Sequence, residues 1–312
     1  MAASNARAPA EGMLWGGRFT DKLLYKEDIL GNIAFARANA RLGIISNNEF
    51  TEIERGLREV MKEWEAETFV IMPNDEDIHT ANERRLSEII GKEIGGKLHT
   101  GRSRNEQVVT DVRMWLRERI REIESHLVAF LQVIAARAEA DIDHIMPGYT
   151  HLQLAMPVKF SQWLLSYDFS FAADLERLWE VLKRVNRSPL GVGALAGNAF
   201  GIDRQMMAKE LGFESIMWNS MGAVADRDFV TEFLAWEEES RRPRTFESVQ
   251  IANGILSTLK LRPERMTASL NSSLLATDVA DALVKISVPF REAHHISGRV
   301  VAKSEVLKGM LA

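Results

Sequence analysis

No glycine or proline interrupts the chain from Ser103 to Met146, a run of 44 residues. Along it, apolar side chains recur at Val108, Val112, Trp115, Ile120, Ile123, Leu127, Leu131, Ile134, Ala138 and Ile142. The steps are threes and fours with a single five, the period of an α-helix rather than a strand. Such a helix would reach roughly 60–65 Å. A helix much longer than about 25 residues needs a bundle, a coiled coil or a bilayer around it, because propensity alone cannot hold it. Arg117, Glu118, Arg119, Arg121 and Glu122 break any apolar span, which removes the bilayer. What remains is a long bundle helix with a polar motif at each end: GRSRNEQ at 101–107 and PGYTHLQ at 147–153.

The rest of the chain suits that reading. Its 312 residues are 46% apolar, enough to bury a sizeable core in one large domain or two to three smaller ones. With 39 basic and 44 acidic residues the net charge is −5, which leaves no electrostatic footprint for nucleic acid. The absence of cysteine removes disulfides, thiol nucleophiles and thiolate-bound metals, and fits a reducing compartment. Residues 1–12 read as a disordered tail without the apolar core of a secretory signal. A cytoplasmic location is the default, with the Ala and Arg of this tail leaving organelle import open.

In chain order, LWGGRF at 14–19 pairs two aromatics with a Gly-Gly turn that can lie flat on the body. Ile29, Ile33, Ala36 and Ala40 form one helical stripe, and Asn47 or Asn48 is placed to cap a second helix carrying Ile53, Leu57, Val60, Met61 and Trp64. NDEDIHTANERRLSEIIG at 74–91 has a charged start and a helical end. Past the long helix, Pro157 opens a second one running from Val158 to Ser188, an antiparallel neighbour of the first. A third helix starts near Asp226 and carries Phe229, Phe233 and Leu234. It stops at EEESRRPRT, 237–245, where a proline sits in what would be a helix interior. Helical spacing resumes at Phe246, and the last 50 residues read as short helices, one capped by Thr277 or Asp278 and one with Pro289 in its first turn.

Several motifs can carry chemistry, and each has a plainer structural reading. His151 can exchange a proton at neutral pH, and the Thr150 hydroxyl beside it can hold a carboxylate oxygen. Equally, His151 can do no more than satisfy backbone groups at a helix start. Arg102, Ser103, Arg104 and Asn105 join two guanidiniums to a helix N-terminus, an anion site or simply a solvated cap. Asp75, Asp77 and His79 alternate as metal ligands sometimes do, but not as a calcium loop does. Gly191, Gly193, Gly197 and Gly201 follow a helix rather than a strand, which fits a tight-turn loop lining a cleft better than a dinucleotide site. His126, His144, His294 and His295 read as packing or surface residues.

WGGRF, NDEDIHTANERRL, GKLHTGRSRNEQVVTDVRMWLR, PGYTHLQLAMP, SPLGVGALAGNAFGIDR, NSMGAVADRDFVTEFL and LLATDVADALV follow one another in this order. Together they resemble argininosuccinate lyase and δ-crystallin, within the fumarase/aspartase superfamily, over most of 13–236 and 246–309. The resemblance implies an all-α fold, a long-helix bundle with smaller helical N- and C-terminal parts. The expected division is a tail at 1–12, an N-terminal domain at 13–98, the central bundle at 99–262 and a small, incomplete C-terminal domain at 263–312. It implies a homotetramer, or a mixed oligomer with full-length subunits, whose sites draw on several subunits. The substrate would be argininosuccinate, split by elimination into arginine and fumarate with neither cofactor nor metal, and with no nucleic acid or membrane as partner. By resemblance, His151 transfers the proton, Asn105 and Thr150 bind substrate, Arg102, Ser103 and Arg104 line the anion pocket, and His79 borders the site.

The likeness also has gaps. A loop reading approximately GSSxMPxKxN, which in the family carries the serine base and a substrate-binding lysine, is absent, and 237–245 stands where it should lie. Ser272 and Ser273 belong to a different, C-terminal motif. The segment after Phe19 is shortened, and the chain breaks off at Ala312 soon after the last family-like helix. Loss of a base that works as part of a unit costs several orders of magnitude in rate. The expected alternative is therefore a non-catalytic, crystallin-like partner of full-length subunits.

Overall fold

The computed structural model describes residues 21–239 and 246–311. The 1–12 tail, LWGGRF and most of the 237–245 junction lie outside them. Thirteen helices and two small two-stranded sheets are described: α1 (Tyr25–Arg41), α2 (Asn47–Glu65), α3 (Ile78–Ile90), α4 (Lys92–Gly95), α5 (Arg104–Ala140), β1 (Ile145–Thr150), β2 (Gln153–Lys159), α6 (Phe160–Val185), β3 (Arg187–Ser188), α7 (Arg204–Glu210), β4 (Ser215–Ile216), α8 (Ser220–Ala225), α9 (Asp228–Glu239), α10 (Phe246–Thr258), α11 (Pro263–Ala268), α12 (Ala276–Lys285) and α13 (Phe290–Leu311). The all-α class holds. None of the described helices is long and apolar enough to cross a membrane.

The chain forms two compact units, one from residues 1–121 and 178–238, the other from 122–177 and 239–312. In the first, α1 is buried on several sides. Ile29, Ile33 and Ala36 pack with Ile53, Leu57 and Val60 of α2 and Leu86 of α3. Ala34, Phe35 and Ala38 pack into a second core with Met114 of α5 and Leu190, Ile202, Met207, Leu211, Phe213 and Ile216. Burying a side chain such as Leu57 contributes about 2 kcal/mol relative to leaving it in water. β3 and β4 pair in parallel, Arg187 opposite Ser215 and Ser188 opposite Ile216.

Local signals set several boundaries differently from the sequence expectation. α2 is capped by Ser46, not by Asn47 or Asn48. The Ser46 hydroxyl accepts the Glu49 N–H at 3.2 Å while the Glu49 carboxylate accepts the Ser46 N–H at 2.7 Å, a reciprocal capping box. α12 begins at Ala276 with no side-chain cap, so neither Thr277 nor Asp278 plays that part. In α9, Phe229 and Trp236 are buried, and Leu234 is exposed.

The long helix stops at Ala140, six residues short of the uninterrupted run. Lack of a breaker permits a helix but does not sustain one. Here the backbone turns over Asp141–His144, and Ile145–Thr150 gains the antiparallel partner Gln153–Lys159. Pro157 lies opposite Pro147 in this hairpin, and α6 starts three residues later, at Phe160. The register shifts between Gly148 and Tyr149, leaving Ala155 as a bulge that bends the ribbon. In the second unit the hairpin packs against α11, α12 and the 3-10 turn Ser272–Leu275, while Phe130 of α5 meets Phe171 of α6 edge-on at 5.2 Å.

Candidate active site

In the first unit the N-terminal end of α5 departs from the expected pattern. Glu106, Gln107, Thr110, Asp111, Arg113 and Arg117 are buried, whereas Val108, Val112 and Trp115 are only half-buried. The inward face mixes these polar groups with Val109, Met114 and Leu116, and Glu106, Gln107 and Arg113 meet polar partners there.

Glu106 organises the loops. Its Oε1 accepts the Ser103 N–H at 3.0 Å, capping α5, and its Oε2 accepts the Gly193 N–H at 2.8 Å. The glycine-rich loop is thereby tied to GRSRN, and Asn198 adds a bond from its Nδ2 to the Gly101 carbonyl at 2.8 Å. Gly193 has φ 71°, and a Cβ there would stand 2.7 Å from the Gly197 carbonyl oxygen, so only glycine fits. Burial pushes the Glu106 carboxyl up, against the pull of those backbone N–H groups.

Of the expected site residues here, Asn105 is exposed, Ser103 and Arg104 are partly exposed, and the Arg102 guanidinium is wholly enclosed. Arg104 bonds Gln107 at 2.7 Å and approaches Glu83 at 3.1 Å and Asp77 at 3.7 Å. Arg102 lies over the Phe35 ring at 5.1 Å, without a hydrogen bond on its guanidinium. Glu83 also meets His99 at 3.1 Å. Burial would raise the Glu83 carboxyl, but His99 and Arg104 outweigh it and hold it low. GRSRN thus presents Asn105 and part of Arg104 to solvent while Arg102 supplies charge from behind.

His79 is buried in the first turn of α3. Its Nδ1 lies 2.9 Å from Asp28 Oδ1 and 3.5 Å from Asp111 Oδ2. Asp28 also accepts from Asn82 at 2.7 Å and from Gln107. Burial would raise its pKa, yet His79 and these donors hold it at about 2. Asp111 has no hydrogen bond on either oxygen, and burial, with the charge of Asp28 beside it, pushes it well up. The positive charge acting on both carboxyls is that of Arg102.

Asp75 and Asp77 of NDEDIH have structural work. Asp75 accepts from the Met72 N–H at 2.7 Å and from Arg84 at 2.9 Å, and Asp77 caps α3 by accepting the Thr80 N–H at 2.7 Å.

Sequence reading passed over Asp28, Asn82, Glu106, Gln107 and Asp111. A usable signal was present: Asp28 and Asn32 stand four apart within the apolar stripe of α1, as Gln107 and Asp111 do in α5.

Thr150 and His151 belong to the second unit, at the tip of the β1–β2 hairpin. Thr150 pairs with Gln153, so His151 and Leu152 form a two-residue turn with φ 50° and 62°. Right-twisted hairpins favour such turns, normally built from Asn and Gly. Both residues are exposed, Leu152 by 93%.

Comparison with known proteins accords with these motifs. Residues 4–239 match the Lyase family model, and residues 273–311 match that of the argininosuccinate lyase C-terminal region. The chain is 42% identical over 393 residues to a probable argininosuccinate lyase of Schizosaccharomyces pombe, covering 94% of this chain and 85% of the relative. It is 37% identical over 406 residues to the argininosuccinate lyase of Candida albicans (98% and 87% covered), and 40% over 407 to that of Chlamydomonas reinhardtii (97% and 86%). Because 94% of 312 residues is about 293, about 100 positions of the 393-residue alignment have no counterpart in this chain. In fold, the chain resembles EDDS lyase in complex with formate, with TM-score 0.79, 22% identity, and 93% of this chain and 73% of that one covered. It also resembles β-carboxy-cis,cis-muconate cycloisomerase of Acinetobacter calcoaceticus, with TM-score 0.72, 17% identity, and 93% and 86% covered. The helical architecture, the motif order and identity near 40% over more than nine-tenths of its residues make this chain a member of the argininosuccinate lyase family.

Proposed function

We propose that the chain is a carbon–nitrogen lyase that splits argininosuccinate into arginine and fumarate by elimination, in arginine biosynthesis and in the cytoplasm. The observation that carries this reading is the sustained identity, about 40%, to proteins described as argininosuccinate lyases. The reaction needs a base for the C–H beside a carboxylate, fixed donors for the doubly charged intermediate, and an acid for the departing nitrogen. In this reading Asn105 and Thr150 bind substrate, Ser103 and Arg104 line the anion pocket with Arg102 behind them, His151 transfers a proton, and His79 borders the site. The exposure of Asn105, Thr150 and His151 supports their roles, and positive φ at an exposed histidine is the kind of local strain that collects at functional sites.

The three-part division at 13–98, 99–262 and 263–312, and a homotetramer, belong to the same reading. Exposed Trp163 and Phe169 on α6 and Ile251 and Ile255 on α10 offer the apolar surface an oligomer would cover. The identities favour this first reading over a second, in which the chain assembles with longer subunits that supply a serine loop. Purified chain is mixed with argininosuccinate and fumarate release is followed by ultraviolet absorbance. Release well above a His151→Ala control supports a self-sufficient enzyme, and none above it rejects one. Co-expression with a full-length relative then separates the two readings: a mixed oligomer on size exclusion supports the second, and its absence ends it.

A further inference from the structure

We propose that Asp28 is a positioning residue: it fixes the His79 ring with a protonated Nδ1 turned into the interior, leaving Nε2 as the nitrogen that exchanges a proton. This deepens the lyase reading and rests on it for the use to which that proton is put.

Two groups that can only donate fix the orientation of the amides around Asp28. The Trp64 indole N–H, a pure donor, meets Asn82 Oδ1 at 2.9 Å, so the amide nitrogen of Asn82 must face Asp28. The Arg104 guanidinium, also a pure donor, meets Gln107 Oε1 at 2.7 Å, so the amide nitrogen of Gln107 must face Asp28 as well. Two donors of fixed polarity therefore converge on Asp28, which must answer as an acceptor. His79 Nδ1, 2.9 Å from Oδ1, can bond such a carboxylate only by carrying a hydrogen. Trp64 of α2, Asn82 and His79 of α3, Arg104 and Gln107 of α5 and Asp28 of α1 thus form one polarised network that leaves a single tautomer for the ring.

The charged neighbours agree. Glu27 of α1, Arg102 of the loop before α5 and Arg104 of α5 act through their charge on Asp28 or Asp111, and Glu83 of α3 feels Arg102 and Arg104 in turn. Asp111 Oδ2 is 3.5 Å from the same Nδ1, so the second-nearest acceptor also lies on the interior side. Among the described residues, Nε2 has no hydrogen-bond partner. A proton taken up at the Nε2 lone pair gives an imidazolium whose charge Asp28 offsets, and its return restores the Nδ1–H ring. No other bond changes.

The test needs no turnover, so it stands apart from the activity assay. The full chain is labelled with 15N-histidine, and two-bond proton–nitrogen correlations are recorded from pH 6 to 9, with His79 identified by its loss in His79→Gln. The Nδ1–H pattern is expected for the neutral ring, and Asp28→Asn is expected to lower the ratio of Nδ1–H to Nε2–H by about tenfold, as charge-assisted bonds lose to neutral ones. Gln107→Ala, which leaves the His79–Asp28 pair intact, should keep the wild-type pattern. If Asp28→Asn does not fold, the wild type and Gln107→Ala decide. An Nε2–H pattern in the wild type, an unchanged ratio in folded Asp28→Asn, or loss of the Nδ1–H form in Gln107→Ala overturns the proposal.

Discussion

Glu106 Oε2 accepts the backbone N–H of Gly193 at 2.8 Å, joining two loops that lie 87 positions apart in the chain. Its other oxygen holds the Ser103 N–H, so one buried carboxylate sets the spacing between the glycine-rich loop and GRSRN. Glu106→Gln keeps the volume but offers a single acceptor oxygen, so one of the two N–H groups is left unpaired. We expect a loss of about 1–3 kcal/mol in urea denaturation. Faster amide exchange at Gly193 or Ser103, with little change at Ile53 in the α2 core, would mark the effect as local. Uniform acceleration would refute it.

Asp28 ties acid stability to the same interior. Its carboxyl is held at about 2 against an ordinary value of 3.8. A depressed carboxylate contributes stability that is fully present above the unfolded value and lost as pH falls through the folded one. The contribution, about 2 kcal/mol, should therefore disappear between about pH 4 and pH 2. Asp28→Asn should be less stable at neutral pH and lack this limb. Equal acid limbs in the two proteins would contradict the assignment.

Asp111 runs the other way. Burial first, then the charge of Asp28, raises it, with Glu27 adding and Arg102 and Arg104 opposing. A raised carboxyl contributes stability below the unfolded value and loses it as pH rises through the folded one. Relative to wild type, Asp111→Asn should gain stability steadily as pH rises from about 4, the unperturbed Asp range. A gap between the two proteins that does not move with pH would sink this reading.

How much of this was legible in sequence differs from element to element. Apolar spacing locates α2, α5 and α6 because each has a face that must leave water. It misplaces the end of α5, since missing breakers say nothing about a competing strand partner, and the pairing of Ile145 with Lys159 is a long-range fact. It also misses that the inward face at the start of α5 is partly polar: Arg113 is buried because Asp226 and backbone carbonyls await it, Asp111 is buried beside His79, and periodicity registers neither. GRSRN and GYTHLQ are visible as residue types in order. That Arg102 faces inward while Asn105 faces out is set by packing against Phe35.

The hairpin tip offers a local test. Leu152 holds φ 62° while 93% exposed, so its side chain contributes strain without burial. A left-handed conformation costs a non-glycine residue roughly 1–2 kcal/mol, part of which glycine returns as greater freedom in the unfolded chain. Leu152→Gly should therefore raise stability by about 0.5–1 kcal/mol. If Leu152 instead contacts substrate or another subunit, the same variant will lose activity or assembly while its thermal midpoint rises.

Arg113 separates ion pairing from helix capping. Its guanidinium donates to the Arg184 and Val185 carbonyls at 2.7 and 3.1 Å, bonds Asp226 at 2.5 Å and lies 4.1 Å from the Phe229 ring centre. Burial lowers its pKa to about 10, and Asp226 only partly offsets that. The two carbonyls are the last of α6 and have no helical donor, so Arg113 caps that end from another helix. Asp226 is a quarter exposed at its side chain and can turn to water if its partner is lost. Arg113→Ala should thus cost about 3–5 kcal/mol, since it strips both carbonyls and leaves a cavity. Asp226→Asn should cost about 1 kcal/mol, as the carbonyl bonds survive it. Urea denaturation of the two variants and their combination gives the coupling between them. Equal losses from the single variants would mean that the ion pair, not the cap on α6, holds this corner of the fold.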